Sequence, residues 1–286
     1  MKKLLSLLAL MVILSSCEKE IDYKIPDPGD KIVVSGQLVS GKAPKIYLST
    51  SVYSMEAGIP KTSNIYSAKL FTNDPNSPFE LEAKLGNSSF DSVYYYTSAH
   101  IIGQAKTYRL EVSAPNLDPV SASTLVPPST AIASTRYDTA TKELRFSFND
   151  QPNNSDYYFI QLIHAGQNYP LYFSSADPTL EFFEFSGDPF GGEGEGRSYG
   201  SAAFFDDNQF KGMSKEVNIR IEDYINADFY IYLHSISESY YRFRLTEAAG
   251  GFSDGFFSEP VQLFSNVEGG YGIITGQSSD SVLIRY

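Results

Sequence analysis

Residues 79–85 give the clearest indication of the fold class, because they read Phe-Glu-Leu-Glu-Ala-Lys-Leu and alternate strictly between apolar and charged side chains. Neighbouring side chains of a β-strand point to opposite faces of the sheet, so this alternation predicts a strand with one buried face and one solvated face. The stretch from Tyr108 to Val112 repeats the pattern. The chain also contains 21 Tyr and 20 Phe residues, a composition that favours strands. These features predict an all-β protein made of two β-sandwich-like domains.

The first domain is predicted over residues 31–126, where six further strand patterns surround this segment. Turn-forming residues such as Asn73-Asp74-Pro75 separate the patterns. About seven short strands with this spacing are typical of an immunoglobulin-like β-sandwich. The predicted strands are 31–39, 45–53, 65–71, 79–85, 91–97, 106–113 and 120–126.

A second mainly-β domain is predicted over residues 131–286, after a linker at residues 127–130. The linker begins with two prolines, which cannot donate backbone hydrogen bonds to a sheet. One short helix is predicted at 236–248, because Ser235 and Glu238 have the spacing of a capping box. The predicted strands of this domain are 143–149, 157–163, 169–173, 180–185, 198–205, 216–222 and 229–234.

Residues 1–16 have the features of a signal peptide, since two lysines precede an apolar run from Leu4 to Leu14 and a pair of serines. The apolar run is shorter than the roughly 20 residues that cross a bilayer. Cys17, the one cysteine of the chain, follows directly, as in the lipobox of bacterial lipoproteins. We therefore expect lipidation at Cys17 with acyl chains such as palmitate. The alternative is an ordinary secretory signal with a chance cysteine.

Residues 17–30 are polar and contain Pro26 and Pro28, so they are predicted to form an extended, lipidated tether. Once residues 1–16 are removed, 20 basic and 34 acidic residues remain, which gives a formal charge of −14. This acidity argues against binding to nucleic acid or to anionic lipid. We expect no disulfide, because no cysteine remains to pair with Cys17.

Signatures of catalysis are absent from the sequence. It contains no G-x-S-x-G elbow, no H-E-x-x-H and no Walker loop. The three histidines, His100, His164 and His234, are scattered along the chain, and a structural role for them is favoured over a catalytic one. Paired carboxylates of the kind that glycosidases use remain possible on sequence grounds alone. We therefore predict no enzymatic activity, no catalytic residues and no cofactor.

The glycine-rich segment from Gly187 to Gly196 raises the question of a metal site. A phosphate-binding loop is excluded, because no Lys-Ser or Lys-Thr follows and the acids would repel phosphate. A calcium loop would use the oxygen ligands Glu193, Glu195, Asp206, Asp207 and Asn208. However, Phe210 stands where that loop pattern requires a third oxygen. A solvated loop is therefore favoured, and no metal site is predicted.

Adjacent aromatic residues are frequent, and in a strand one member of each pair must leave the core of its own sandwich. Contact between the domains or packing under loops is one explanation. The other is a surface that binds a partner, where Tyr and Phe are enriched. The pairs are Tyr94-Tyr95-Tyr96, Tyr157-Tyr158, Phe182-Phe183, Phe204-Phe205, Tyr240-Tyr241 and Phe256-Phe257.

Two regions of the chain together resemble one family. The first region combines residues 17–22, Cys-Glu-Lys-Glu-Ile-Asp, with residues 31–38, Lys-Ile-Val-Val-Ser-Gly-Gln-Leu. The second region runs from residues 237–243 through 259–261 to 266–272, which read Asn-Val-Glu-Gly-Gly-Tyr-Gly. These regions are similar to domain-of-unknown-function family 4249. The resemblance spans nearly the whole chain and implies an exported lipoprotein whose gene neighbours a TonB-dependent outer-membrane receptor. It implies no catalytic residues.

Lys19 and Glu20, which follow Cys17, resemble the lysine-plus-acid signal that sends such lipoproteins to the cell surface, although Ile21 separates Glu20 from Asp22. We therefore expect a lipid-anchored outer-membrane protein that is a non-enzymatic binding or accessory partner of a TonB-dependent receptor. Two alternatives remain open, a cell-surface hydrolase acting on glycan or peptide and an adhesin or structural module. Carboxylates that converge in a deep cleft favour the hydrolase, whereas an exposed aromatic patch without such a cleft favours the binding protein.

Overall fold

The computed structural model describes residues 29–52, 63–73, 78–87, 92–182, 198–251 and 262–286. Nearly all regular structure in these ranges is β, so the prediction of an all-β protein with one short helix is confirmed. In chain order the elements are β1 (Ile32–Val39), β2 (Lys45–Thr50), β3 (Ser67–Phe71), β4 (Phe79–Asn87), β5 (Ser92–Thr97), β6 (Lys106–Ala114), β7 (Leu117–Val126), β8 (Ile132–Asp138), β9 (Glu143–Asn149), β10 (Tyr157–His164), β11 (Pro170–Leu171), β12 (Phe173–Ser175), β13 (Ser198–Gly200), β14 (Ala202–Asp206), β15 (Ser214–Ile221), β16 (Phe229–Ile236), α1 (Glu238–Gly251), β17 (Val267–Glu268) and β18 (Tyr271–Ile284).

The first sandwich, called the first half below, combines the strands of residues 32–126 with β17 and part of β18 in two layers around one core. One layer contains β18, β1, β2, β5 and β4, and the other contains β4, β3, β6, β7 and β17. The strand with the alternating pattern, β4, belongs to both layers, because residues 79–81 pair with β3 and residues 82–87 pair with β5. Its apolar Leu81 lies in the core, and Ala83 packs against that core. The alternation therefore places the middle of one face of β4 inside the sandwich, whereas Leu85 at the end of the pattern is 51% exposed.

The second half is a sandwich with a core that is rich in phenylalanine. A sheet in which β10 pairs with β11, β14 and β16 faces a five-stranded sheet of order β13-β12-β15-β9-β8. Alternate residues of β9, namely Leu144, Phe146 and Phe148, are buried in the shared core. Phe229 and Ile231 of β16 belong to the same core. The hydrophobic period of two along these strands accounts for their burial.

The C-terminal strand β18 joins the two halves into one thirteen-stranded sheet. Its residues 271–277 pair in parallel with β1, and residues 277–284 pair antiparallel with β16. The first of these segments needs glycine at Gly272, which has a φ of +102° and where a Cβ atom would overlap the backbone oxygen of Val34. Sequence patterns assigned all of residues 131–286 to the second domain, whereas Val267 and Ile274 pack in the first core.

The helix α1 begins after Ser237. The prediction that Ser235 caps the helix is therefore wrong. The Oγ atom of Ser237 accepts hydrogen bonds from the backbone N–H groups of Tyr240, at 3.3 Å, and Gly276, at 3.0 Å. Ser235 lies inside β16, where its hydroxyl bonds the linker residue Thr130. The strand thus extends further than its sequence indicates and places the helix N-terminus against β18.

Several strand predictions differ from the structure, since predicted strand 198–205 is divided into β13 and β14 and predicted strand 169–173 spans β11 and the start of β12. β8 was not predicted, because its residues 132–138 are mostly polar and half-exposed at a sheet edge, where it pairs with β9. The predicted strand at 180–185 contributes an isolated bridge from Glu181 to Phe204, and residues 183–185 lie outside the described part of the chain. Within the described residues, no helix has both the length and the apolar character needed to cross a bilayer.

Candidate functional site

The helix groove is a cleft of about 440 Å³ between α1 and the outer face of β1, β2 and β18. The helix supplies Tyr240 and Phe243, and β2 supplies Tyr47. Tyr47 faces outward because its neighbours Ile46 and Leu48 are buried in the first core. We define the helix groove by the lining residues that carry its chemistry, which are Gln37, Lys42, Lys45, Tyr47, Tyr240 and Phe243.

Lysines line one side of the helix groove. The Nζ atom of Lys45 lies 5.4 Å from the ring centroid of Tyr47 and 4.9 Å from that of Tyr95, so its charge rests on two aromatic faces. A hydrogen bond with the Tyr47 side chain, followed by the charge of Tyr47, raises the pKa of Lys45. Lys42 lines the same groove. The groove therefore offers cationic and aromatic contacts on a chain whose formal net charge is −12.

A row of polar side chains leads from the groove to a buried histidine. Gln37 donates to Gln277 at 2.6 Å, and the Gln277 amide nitrogen lies 2.7 Å from Nδ1 of His234. Because an amide NH₂ donates, Nδ1 of His234 is the acceptor of this contact. Burial, followed by the charge of Lys42, lowers the pKa of His234 to about 3. His234 also stacks on Phe159 with ring centroids 3.9 Å apart, so it is a neutral structural residue.

A second cleft, the junction cleft, has a volume of about 320 Å³ and lies where the two sandwiches meet. Its side chains include an ion pair, since Arg242 Nη1 lies 3.6 Å from Glu238 Oε1. The Arg242 guanidinium also lies 4.4 Å from the ring centroid of Phe264. We define this cleft by Thr124, Asp156, Tyr157, Glu238, Arg242 and Phe264.

Asp156 of the junction cleft belongs to a carboxylate cluster that it forms with Asp150 and Asp207. One oxygen from each of the three residues lies within 4.8 Å of the others. Burial, followed by the negative charges of Asp150 and Asp207, raises the pKa of Asp156 to about 6. A glycoside hydrolase needs two carboxyl groups that both face the substrate. Here Asp150 and Asp207 are buried, and Asp156 is the one member that lines the junction cleft. The three carboxyl groups therefore converge inside the protein, and not in a deep cleft as the hydrolase alternative requires.

Most described members of the adjacent aromatic pairs pack inside the molecule. Phe205 lies in the second core, and Phe204 points to the opposite side of its sheet, where it packs with Phe159 under Tyr241 of α1. Tyr158 is fully buried while Tyr157 packs under the helix. Packing within the protein thus explains these pairs. Phe183, Phe256 and Phe257 lie outside the described residues.

The C-terminal residues that carry the family resemblance hold the two halves together. Asn266 Nδ2 donates to the carbonyl oxygens of Ser123, at 2.9 Å, and Ile274, at 2.8 Å. The Ile274 N–H donates back to Asn266 Oδ1 at 3.0 Å. Ser239 Oγ donates to the Ile274 oxygen and lies 3.3 Å from Thr124 Oγ1. Through these contacts, the C-terminal residues of the family resemblance have a structural role.

Several predicted site residues cannot be placed. Cys17, Lys19 and Glu20 lie outside the described residues, as does the segment from Gly187 to Gly196 with Glu193 and Glu195. Of the weighed calcium ligands, Asp206 and Asn208 bond each other on the surface, whereas Asp207 points into the carboxylate cluster. His100 stacks on Phe79 at 3.7 Å, and His164 Nδ1 lies 2.9 Å from the Ala165 carbonyl oxygen, so each histidine makes its own separate contacts.

Comparisons with known proteins identify the family. Residues 18–282 match the family described as "Domain of unknown function (DUF4249)". The chain belongs to this family. No curated protein matches it. Among solved structures, it is similar to the crystal structure of collagen adhesin (CNA) from S. aureus, at 8% sequence identity and a TM-score of 0.20, over 90% of this chain and 95% of that one.

Sequence reasoning missed the helix groove, and of the carboxylate cluster it singled out only Asp207, as a possible calcium ligand. The alternation from Lys45 to Leu48 already places Lys45 and Tyr47 on the outer face of β2. The helix that closes the groove comes from the far end of the chain, so the pairing was not accessible from local patterns. Asp150 and Asp156 flank a turn between two predicted strands, a weak signal because acids are common in turns.

Proposed function

We propose that this protein is a lipid-anchored binding or accessory partner of an outer-membrane receptor, with no chemistry of its own. The observation that carries the proposal is the helix groove, where Tyr47, Tyr240 and Phe243 lie beside two lysines. Aromatic residues with a polar rim are the contacts that dominate protein interfaces. No carboxylate is among the described residues that line the groove. It therefore suits recognition better than acid–base chemistry.

The chemistry of the groove specifies the kind of partner segment. Its lysines favour acidic groups, and its aromatic walls favour apolar side chains. The chain as a whole has a formal net charge of −12, and the two lysines give this groove a local attraction for an acidic segment. The partner is thus proposed to present a segment that combines acidic and apolar residues.

The proposed lipid on Cys17 strengthens this association. Two proteins confined to one membrane meet at a raised effective concentration, so a weak interface is enough to keep them together. Acyl chains contribute about 0.8 kcal/mol for each buried CH₂, and more than one chain gives a stable anchor. Lys19 and Glu20 are proposed to direct the anchored chain to the cell surface.

Purification of the full chain with its lipid, from gently solubilised outer membranes, tests the proposed partner. We expect one receptor to accompany the protein. The double change Tyr47→Ser with Phe243→Ser should lower recovery of that receptor about tenfold or more. Tyr224→Ser is the matched control, because Tyr224 is 80% exposed and lies outside the groove. Recovery of the protein alone in several mild detergents, with turnover of a glycan or peptide, would favour the hydrolase instead.

Intact-mass analysis tests the anchor separately. We expect a mature chain that starts at Cys17 and carries added acyl mass, and a Cys17→Ala protein that leaves the membrane fraction. Protease added to whole cells should degrade the body of the protein, and alanine at Lys19 and Glu20 should protect it. Retention of Cys17→Ala in the membrane would overturn the anchor, and equal digestion before and after the alanine changes would overturn the surface signal.

A further inference from the structure

Three strand ends bring the carboxylate cluster together. Asp150 follows β9, Asp156 precedes β10 and Asp207 follows β14. Antiparallel pairing of Tyr157 with Asp206 sets the last two side by side, and the Asp207 N–H donates to the Asp156 carbonyl at 3.1 Å. Sheet register thus fixes the positions of Asp156 and Asp207 relative to each other.

Hydrogen bonds hold the first member of the cluster in place. Asp150 Oδ1 accepts from the Tyr158 hydroxyl at 2.6 Å, and Oδ2 accepts from the Gly212 N–H at 2.7 Å. Each carboxylate oxygen still has a free lone pair after one such bond. Asp150 can therefore contribute an oxygen to a ligand without losing the contacts that orient it.

The other two members of the cluster have buried carboxylate oxygens without a hydrogen-bond partner, which is an independent observation that points to a ligand. Asp207 is 1% exposed, and its buried Oδ2 atom has no hydrogen-bond donor. Asp156 Oδ2 is likewise buried and without a donor. The nearby Lys211 directs its Nζ atom to the Ser155 hydroxyl at 3.3 Å. Buried carboxylate oxygens in folded proteins normally have a partner, and a cation is one of the few groups that satisfies several at once.

We propose that Asp150, Asp156 and Asp207 hold one calcium ion. A set of ligands made only of oxygen selects hard cations such as calcium. Calcium–oxygen distances are about 2.3–2.6 Å, so two ligands on opposite sides of the ion are about 5 Å apart. The three oxygens, all within 4.8 Å of one another, meet this requirement. The bound ion also removes the repulsion among the two buried carboxylates and the half-buried one.

The junction cleft provides a route for the ion. Asp156 is half-buried and lines that cleft together with Ser155 and Tyr157. The remaining coordination positions of calcium, which takes six to eight oxygens, are open to water from this side. The site stabilises the junction of β9, β10 and β14 and is independent of the helix groove.

Calorimetric titration of calcium chloride into the full chain, purified in detergent after treatment with chelator, measures the site directly. We expect binding of one calcium ion per chain. Bound terbium should emit when tyrosine is excited, because Tyr158 contacts Asp150 and the chain contains no Trp. About 1 mM calcium should raise the melting temperature by about 3 °C or more.

Two isosteric variants and a matched control assign the ligands. Asp207→Asn and Asp156→Asn should each weaken calcium binding about tenfold or more and abolish the thermal shift. Asp206→Asn removes the same charge from the adjacent position, whose side chain points away from the cluster, and should leave both unchanged. The absence of one-to-one binding by the wild-type chain would overturn the proposal. A second outcome would also overturn it. If calcium does not change the melting temperature of the wild-type chain, and Asp207→Asn raises that temperature equally with and without calcium, a shared proton holds the cluster instead.

Discussion

The two sandwiches of this protein are built from different core chemistry. Among the described residues, the first core is aliphatic with a few tyrosines and contains no phenylalanine, whereas the second contains six phenylalanines, Phe146, Phe148, Phe173, Phe205, Phe210 and Phe229. The first half buries threonine but no ionisable acid or histidine among its described residues, whereas the second buries Asp150, Asp207, His164 and His234. The first half is therefore specified by apolar alternation, and the second also depends on polar contacts that the strand pattern does not encode.

The largest expected effect comes from the strand that the two halves share. Gly272→Ala adds a Cβ atom that overlaps the Val34 backbone oxygen at a φ of +102°, so the free energy of unfolding should fall by about 3 kcal/mol. Gly41→Ala is the control, because Gly41 also has positive φ but open space around its Cβ direction, and should cost about 1 kcal/mol. Urea unfolding measures both. Equal losses would mean that β18 does not hold the halves together.

Acid should weaken the second half through His234. Its pKa is about 3 in the folded chain and 6.5 in the unfolded chain, so as the pH falls below 6.5 the unfolded chain binds the proton first. The free energy of unfolding therefore keeps its full contribution from neutral His234 above pH 6.5 and loses it as the pH falls toward 3. Between pH 7 and pH 5 the free energy of unfolding should fall by about 2 kcal/mol from this residue. Urea unfolding of wild-type and His234→Gln chains at both pH values isolates the effect, and identical pH slopes would refute it.

The strand assignments of the first half were predictable because one period governs them. β1, β4, β5 and β6 lie within two residues of their predicted bounds. In the second half, predictions from the sequence failed at positions where a polar contact between distant residues determines the local structure. Ser235 has the sequence of a helix cap but bonds Thr130, and Ser237 takes the cap because it also reaches Gly276. The carboxylate cluster and the helix groove both join segments that are distant in sequence.

The cap itself gives a test of intermediate size. Ser237 is 3% exposed and accepts from two backbone N–H groups, so Ser237→Ala should lower the free energy of unfolding by about 1.5 kcal/mol. Ser134→Ala, which removes an exposed hydroxyl contact with Ser147, should change it by less than about 0.5 kcal/mol. A smaller effect at Ser237 than at Ser134 would contradict its role at the junction.

The smallest expected difference separates two ion pairs. Asp177 and Lys215 of the second half are 17% and 14% exposed and lie 2.7 Å apart, while Lys69 and Glu80 of the first half form an exposed pair at 3.0 Å. Although burial opposes it, hydrogen bonding by Lys215 and Thr179 lowers the pKa of Asp177. Asp177→Asn should cost about 1 kcal/mol, and Glu80→Gln less than about 0.5 kcal/mol. Chemical denaturation at low and high salt measures both, and equal costs would remove this contrast.

Photo-crosslinking in native membranes tests most directly whether the helix groove binds the receptor. A photoreactive residue in place of Phe243 lies in the groove, and the same residue in place of Tyr224 lies on the exposed surface outside it. After irradiation, mass spectrometry identifies the adducts. We predict a crosslink to one outer-membrane receptor from position 243 and none from position 224. Adducts to the same proteins from both positions, or none from position 243, would contradict the groove as the binding site.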